Sequence, residues 1–137
     1  MDNIKLIECP RDAMQGIKTF IPTEKKVQYI QSLLRCGFDT IDFGSFVSPK
    51  AIPQMADTKE VLAQLDLSST KSKLLAIVAN VRGAQDAVVH PEIDYLGYPF
   101  SISENFQMRN THKTIDQSVD ILKEILELAN QNNKEVV

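Results

Sequence analysis

The stretch of sequence that decides the fold is Lys73-Leu74-Leu75-Ala76-Ile77-Val78-Ala79, which is apolar at nearly every position. A strand with one face in water alternates apolar and polar residues. A strand of a parallel sheet covered by helices on both faces is apolar almost throughout. This stretch therefore predicts a buried strand in a parallel sheet.

Strand-like and helix-like segments alternate on both sides of this stretch. The other predicted strands are short apolar runs at 5–9, 38–43 and 93–98, with the first residues of a fifth at 134–137. The intervening segments 22–37, 57–65, 80–89 and 114–129 show helix signals. Asp57 with Glu60, and Thr114 with Gln117, have capping-box spacing, and Asn80 is an N-cap residue type. The segment between the first strand and Pro22 is predicted to be a polar loop containing Gly16.

This order predicts an α/β fold in which helical crossovers join parallel strands. Two architectures fit the pattern, namely an open doubly wound sheet and the first half of a (β/α)₈ barrel. A complete barrel takes about 250 residues, and the chain has 137. We interpret residues 1–137 as one domain-sized unit of four βα pairs and a truncated fifth strand.

The composition excludes several classes of partner. The net charge is −3 without a basic stripe, so nucleic acid is not an expected partner. The longest apolar runs are far too short to cross a membrane, and the opening residues do not form a secretory signal. Cys9 and Cys36 are the only cysteines, and no disulfide framework is implied. We expect a cytoplasmic protein.

Charged residues stand where reactive groups are found in both architectures, at the carboxyl ends of the strands. Arg11 and Asp12 follow the first strand, and Asp42 lies inside the second. Asp12 is suited to a hard divalent cation and Arg11 to an oxyanion. The residues alone favour a surface ion pair, because adjacent arginine and aspartate are common. Asp42 faces either solvent or a site. The cost of burying an unpaired acid favours the site.

Two segments of the chain resemble one family of enzymes. Residues 8–15, Glu-Cys-Pro-Arg-Asp-Ala-Met-Gln, are similar to the Arg-Asp-Gly-Leu-Gln signature of the pyruvate-carboxyltransferase-like metalloenzymes. Residues 45–57, Ser-Phe-Val-Ser-Pro-Lys-Ala-Ile-Pro-Gln-Met-Ala-Asp, resemble the loop after the second strand of hydroxymethylglutaryl-CoA lyases. Residues 21–26 are similar to the start of the first helix in those lyases.

The resemblance implies the N-terminal half of a (β/α)₈ barrel and a retro-Claisen cleavage of hydroxymethylglutaryl-CoA to acetyl-CoA and acetoacetate. It also implies a Mg²⁺ or Mn²⁺ ion and an acyl-CoA substrate. Carried onto this sequence, it makes Asp12 a metal ligand and Arg11 the cation that neutralises the enolate. Asp42 stands where the lyases have a glutamate beside that arginine, and the implied substrate contacts are Gln15, Lys18 and Ser45.

This sequence departs from the family pattern in three ways. Ala13 and Met14 replace the Gly-Leu of the signature, and Asp42 is shorter than glutamate by one methylene. The family's His-x-His metal ligands, asparagine ligand and catalytic cysteine have no counterpart here. His90 and His112 are isolated, and Cys9 and Cys36 are expected to be small packing residues. We therefore expect the chain to be inactive alone.

The expected partner is either the missing C-terminal half of the barrel or further copies of the same chain. Strands one and four are expected to leave open edges beside an uncovered apolar inner face, which invites association. Two other hypotheses are a related acyl-CoA synthase or aldolase-type enzyme of the same superfamily, and a non-catalytic half-barrel.

Overall fold

A computed structural model describes residues 4–137 as one five-stranded sheet with helices between the strands. The sheet order is β1-β2-β3-β4-β5, and every pair of neighbouring strands is parallel. The prediction that the opening residues form no secretory signal falls partly on residues 1–3, which lie outside the residues that the structure describes. Between residues 4 and 137, no helix has both the length and the apolar character needed to cross a membrane.

All five predicted strands are present, and all except β2 are shorter than the apolar runs that predicted them. They are β1 (Ile7–Glu8), β2 (Thr40–Ser45), β3 (Lys73–Ile77), β4 (Tyr95–Gly97) and β5 (Glu135–Val136). The predicted bounds of β2, 38–43, were two residues too early. The strand continues through Gly44 because a glycine fits there, whereas an added Cβ would stand 2.6 Å from the Thr58 Cγ2 atom.

Six α-helices are described, two more than the sequence predicted. They are α1 (Pro10–Gln15), α2 (Thr23–Leu34), α3 (Thr58–Leu62), α4 (Val81–Val88), α5 (Glu104–Thr111) and α6 (Ile115–Gln131). A 3₁₀ helix, Pro53–Met55, precedes α3. The prediction of a polar loop after β1 was wrong, because Pro10 opens α1 at the first helical position and Gly16 ends it.

The predicted helix ends were right in two cases and wrong in two. Asn80 caps α4, and Thr114 forms a reciprocal capping box with Gln117 at α6. Asp57 lies at the N-cap of α3 but makes no capping hydrogen bond, because its carboxylate binds side chains of α2 instead. Helix α2 ends at Leu34 and not at Gly37, which adopts φ +82° in the following turn.

The main apolar core lies between the sheet and the helices. It includes Ile41 and Phe43 of β2 together with Leu74 and Ala76 of β3. Side chains alternate along a strand, so the residues between these core positions face the opposite side of the sheet. On that side Asp42, Leu75 and Tyr95 are register partners across β2, β3 and β4.

The opposite side of the sheet is more closed than the sequence suggested. Leu75 and Tyr95 are only 6% and 7% exposed. The side chains of Leu75 and Ile77 fill the space beside Gly97, where an added Cβ would stand 3.0 and 2.6 Å from them. The expectation of an uncovered inner face was therefore wrong at these positions.

The open edges of the described sheet are β1 and β5. The expectation for β1 is confirmed, but the expectation for β4 was wrong because β5 pairs with it. Large apolar side chains are exposed at both edges, with Leu6 64% and Val137 64% accessible. The structure thus leaves apolar side chains in water beside unpaired strand edges.

Candidate active site

Helix α1 presents three of the candidate residues at the point where β1 ends. Its start is fixed by Pro10, which is buried and lies at the first helical position. Arg11 and Gln15 are four residues apart, so they lie on one face of this helix, and Asp12 follows Arg11 directly. The turn from strand to helix therefore places a cation, a carboxylate and an amide together.

Arg11 is held by Asp42 of β2 through three close contacts. The Arg11 Nη2 atom is 2.6 Å from Asp42 Oδ2, and Nε lies 3.1 and 3.2 Å from Oδ1 and Oδ2. The two side chains are 14% and 6% exposed. Such a two-pronged pair fixes the plane of the guanidinium as well as its position.

The third nitrogen of Arg11 faces away from Asp42 toward the other residues of α1. Arg11 Nη1 donates to Asp12 Oδ1 at 3.2 Å and to Gln15 Oε1 at 3.0 Å. Gln15 Nε2 also donates to Asp12 Oδ1, at 3.0 Å. Asp12 is 65% exposed. The four side chains of Arg11, Asp12, Gln15 and Asp42 thus form one connected group whose solvent-facing member is Asp12.

Burial and ion pairing shift the pKa of each member of the Arg11–Asp42 pair in opposite directions. Loss of hydration raises the pKa of Asp42 above its ordinary value, and it outweighs the hydrogen bonds and positive charge of Arg11, which lower that pKa. Loss of hydration lowers the pKa of Arg11, but the Asp42 carboxylate outweighs it and raises the pKa overall. The arginine therefore stays charged, while the carboxylate is the member that protonates most readily.

Lys18 and Ser45 lie outside this connected group. The side chain of Lys18 is exposed and makes no hydrogen bond or ion pair with any residue from 4 to 137. Ser45 is buried; its Oγ accepts from Val47 N at 3.2 Å, and its backbone N–H donates to Thr58 Oγ1 at 3.1 Å. Its contacts shape the loop after β2, and it also lines a cavity of about 400 Å³ between α3 and α4.

One carboxylate in this group is open to a metal ion. Asp12 Oδ1 accepts from Arg11 and Gln15, whereas Oδ2 receives no hydrogen bond from the described residues. Hard divalent cations prefer carboxylate oxygens, so Asp12 fits as one ligand. Within residues 4–137 there is no group of three or more acidic, histidine or cysteine side chains that could complete a site.

Sequence reasoning missed the residues that hold the loops around this group. Gln54 is buried, and its amide bonds to three backbone groups of residues 17–21. Lys26 is 2% exposed and binds Asp57. An acid at an N-cap position next to a helix start looks like a cap, which concealed the role of Asp57 as a counter-ion.

No protein-family model matches the chain. Comparison with curated proteins finds the mitochondrial hydroxymethylglutaryl-CoA lyase of Arabidopsis thaliana at 35% identity over 117 residues, which is 85% of this chain and 25% of the relative. The names of further relatives of this kind place them in mitochondria or in the cytoplasm. The homologues of this chain are thus hydroxymethylglutaryl-CoA lyases.

Solved structures give the same result. The lyase of Bacillus subtilis has a TM-score of 0.91 at 31% identity, covering 99% of this chain and 45% of that chain. A lyase of Acinetobacter baumannii, solved with coenzyme A and 3-methylmalate, has a TM-score of 0.87 at 32% identity. The match covers 96% of this chain and 44% of that chain. The chain spans less than half the length of these relatives and matches the N-terminal part of their barrels. The predicted half of a (β/α)₈ barrel is confirmed.

Proposed function

We infer that this chain belongs with the hydroxymethylglutaryl-CoA lyases as the first half of their barrel, and we propose that it supplies part of the active site for a carbon–carbon lyase. The observation that carries the proposal is the Arg11 guanidinium, fixed by Asp42 and set beside the open carboxylate of Asp12. A cation held in place before the reaction stabilises developing negative charge without the cost of reorienting it.

The reaction we propose is the retro-Claisen cleavage of hydroxymethylglutaryl-CoA to acetyl-CoA and acetoacetate. In this reaction the tertiary hydroxyl loses its proton as the ketone of acetoacetate forms, the carbon–carbon bond breaks and its electron pair gives a thioester enolate, which takes up a proton to become acetyl-CoA. Arg11 is the residue that would neutralise the negative charge of the enolate, and Asp42 would fix the orientation of the Arg11 guanidinium. Water exclusion by the complete barrel would strengthen the interaction.

The substrate contacts in this proposal come from Gln15, Lys18 and Ser45. Gln15 is already bonded to Arg11 and Asp12, so it would orient both groups toward the acyl portion. Lys18 is exposed and free to approach the negatively charged CoA. The coenzyme A in the Acinetobacter baumannii lyase supports an acyl-CoA ligand for the same fold.

We further propose that Asp12 binds Mg²⁺ or Mn²⁺ together with ligands outside the described residues. Such an ion supplies Lewis acidity that lowers the pKa of a bound hydroxyl group. A single carboxylate rarely holds Mg²⁺ well without other ligands or substrate. We therefore propose that the metal ion binds to the assembled barrel and not to this chain alone.

The partner that best fits the open edges is the complementary C-terminal half of such a barrel. It would pair with β1 and β5 and cover the exposed Leu6 and Val137. A homo-oligomer would cover the same edges but would bring a second Arg11 and Asp12 in place of the family's later metal ligands. We propose a cytoplasmic location for the assembled enzyme.

The proposal is tested by adding a C-terminal half of a hydroxymethylglutaryl-CoA lyase to this chain and measuring acetoacetate from hydroxymethylglutaryl-CoA. We expect product only when both halves and Mg²⁺ or Mn²⁺ are present. Condensation of acetyl-CoA with 2-oxoacids in place of cleavage would assign the chain to a related synthase. A stable complex of the two halves that shows neither cleavage nor condensation would support the hypothesis of a non-catalytic half-barrel.

A further inference from the structure

Lys26 is a buried cation that the proposed chemistry does not use. It lies on α2 and is 2% exposed. Its Nζ is 2.6 Å from Asp57 Oδ1, and it also donates to the backbone carbonyl of Gln54. The ring of Phe20 lies below it, 4.0 Å from Nζ. A lysine is rarely buried so completely unless its charge is matched, and here the carboxylate, the carbonyl and the ring supply the match.

The partners of Lys26 belong to two different loops. Phe20 lies in the loop between α1 and α2, whereas Gln54 and Asp57 lie after β2. Asp57 also accepts a hydrogen bond from Thr23 Oγ1 at 2.8 Å, which anchors it to the first turn of α2. The buried charge therefore joins both loops to one helix.

Gln54 extends this connection to the backbone around Lys18. Its Nε2 atom donates to the carbonyls of Ile17 and Thr19, at 2.9 and 3.0 Å, and its Oε1 atom accepts from Ile21 N at 2.8 Å. Lys18 stands between the two bonded carbonyls. The backbone on both sides of this exposed lysine is thus fixed by one buried side chain.

Asp57 extends the connection in the other direction, to Ser45. The residue after Asp57 is Thr58, whose Oγ1 accepts from Ser45 N at 3.1 Å. The single proton of this hydroxyl lies within reach of the carbonyls of Met55, at 2.8 Å, and Ser45, at 3.0 Å. The backbone of Ser45 is therefore bonded to the residue next to the counter-ion of Lys26.

We propose that Lys26, Asp57 and Gln54 form a positioning unit that holds Lys18, in the loop after α1, and Ser45, at the end of β2, in a fixed relation to each other. The unit touches none of the reacting groups, so its effect is on where the substrate contacts stand. The assignment of Lys18 and Ser45 as substrate contacts rests on the proposed function. The positioning of the segments that contain them does not depend on it.

Two substitutions test this unit, and one serves as a control. Lys26→Met removes the buried charge at similar length, and Gln54→Met removes the clamp on residues 17–21 while leaving the Lys26–Asp57 ion pair. Lys123→Met is the matched control, because Lys123 forms an exposed ion pair with Asp120 on α6, away from both loops. Amide hydrogen exchange is measured on the full chain with the complementary half-barrel added.

We expect the amide of Ile21, which donates to Gln54 Oε1, to exchange about tenfold faster or more in both test variants, while β4 and α6 keep their protection. In the assembled lyase we expect the KM for hydroxymethylglutaryl-CoA to rise about tenfold, with kcat within about threefold of the parent. Lys123→Met should change neither measurement.

Unchanged protection of the Ile21 amide in Gln54→Met overturns the inference, and so does a uniform loss of protection that includes α6. The two proposals fail separately. Absence of lyase activity in the parent removes the proposed function, whereas the exchange measurement still decides whether the unit holds the loops. Normal activity with an unchanged KM in both variants removes the positioning role alone.

Discussion

Arg11 and Asp42 are 31 residues apart in sequence, yet the Arg11 Nη2 atom lies 2.6 Å from Asp42 Oδ2 at the carboxyl side of the sheet. Each residue is supplied by a different element: α1 begins immediately after β1, and β2 pairs with β1. The parallel sheet is therefore what brings the pair together, and the site depends on the register of the first two strands.

The two members of this pair should differ in how their loss affects stability. Arg11→Gln leaves a carboxylate that is only 6% exposed without its counter-ion, and we expect it to cost about 3 kcal/mol of unfolding free energy. Asp42→Asn replaces the charge with a neutral group of similar shape and should cost much less. Chemical denaturation at pH 7 measures both. A larger loss for Asp42→Asn than for Arg11→Gln would contradict the finding that burial dominates at Asp42.

The raised pKa of Asp42 predicts a particular dependence of stability on pH. Between the ordinary aspartate pKa of 3.8 and the raised folded-state value, the folded protein binds more protons than the unfolded chain. The contribution of Asp42 is then fully present below pH 3.8 and is lost as the pH rises through the folded-state pKa. We expect the stability of the parent, relative to Asp42→Asn, to fall across this window in denaturation curves. A rise in this relative stability as the pH increases toward 3.8, with no fall above it, would show that the folded-state pKa is lowered.

Lys134 should be a structural residue despite its charge. Its Nζ donates to the carbonyls of His90 and Ile93, at 2.9 and 2.6 Å, and the residue is 7% exposed. Lys134→Met removes both donors from the segment between α4 and β4, and we expect it to cost about 2 kcal/mol in thermal or chemical unfolding. Lys123→Met, which alters an exposed pair, serves as its control and should stay within about 0.5 kcal/mol. Equal stability of the two variants would contradict this account of Lys134.

The open edge at β1 should drive self-association of the chain when no partner half is present. Leu6 is 64% exposed at this edge, and a lysine there adds a charge that opposes edge pairing. We expect light scattering after size exclusion to show a concentration-dependent oligomer for the parent and a smaller species for Leu6→Lys. Val89→Lys is the control, because Val89 is 70% exposed at the end of α4 and not at an edge. A parent that stays monomeric at all concentrations would rule out edge pairing.

The order of elements was predictable from the sequence because it depends on local patterns. The continuous apolar run of β3 and the capping residues of α4 and α6 each act over a few neighbouring positions. Helices α1 and α5 were missed for a physical reason. The first has six residues, and the second exposes Phe106 and Met108, so neither shows the apolar face by which helices are recognised.

The candidate site was predictable only in part. Arg11 and Asp12 are adjacent in sequence, and Asp42 attracted attention as a charge inside an apolar strand. The roles of Lys26 and Gln54 depend on contacts to residues about 30 positions away. Helical spacing places Lys26, unlike the exposed Lys25, on the buried face of α2 four residues before Ile30, but it does not tell which residues match the charge. Such long-range pairing emerges only from the packed structure.

The central claim is that the paired Arg11 provides the charge that stabilises the enolate, and one double variant tests it most directly. Arg11→Gln with Asp42→Asn removes the cation and the buried carboxylate together, so no unpaired charge remains to unfold the chain. With the complementary half and Mg²⁺ present, we expect this variant to keep its unfolding midpoint while kcat for acetoacetate formation falls by about 10²- to 10³-fold. Arg35→Gln, at the end of α2, should leave kcat unchanged. A double variant that cleaves hydroxymethylglutaryl-CoA within about threefold of the parent rate would contradict the claim.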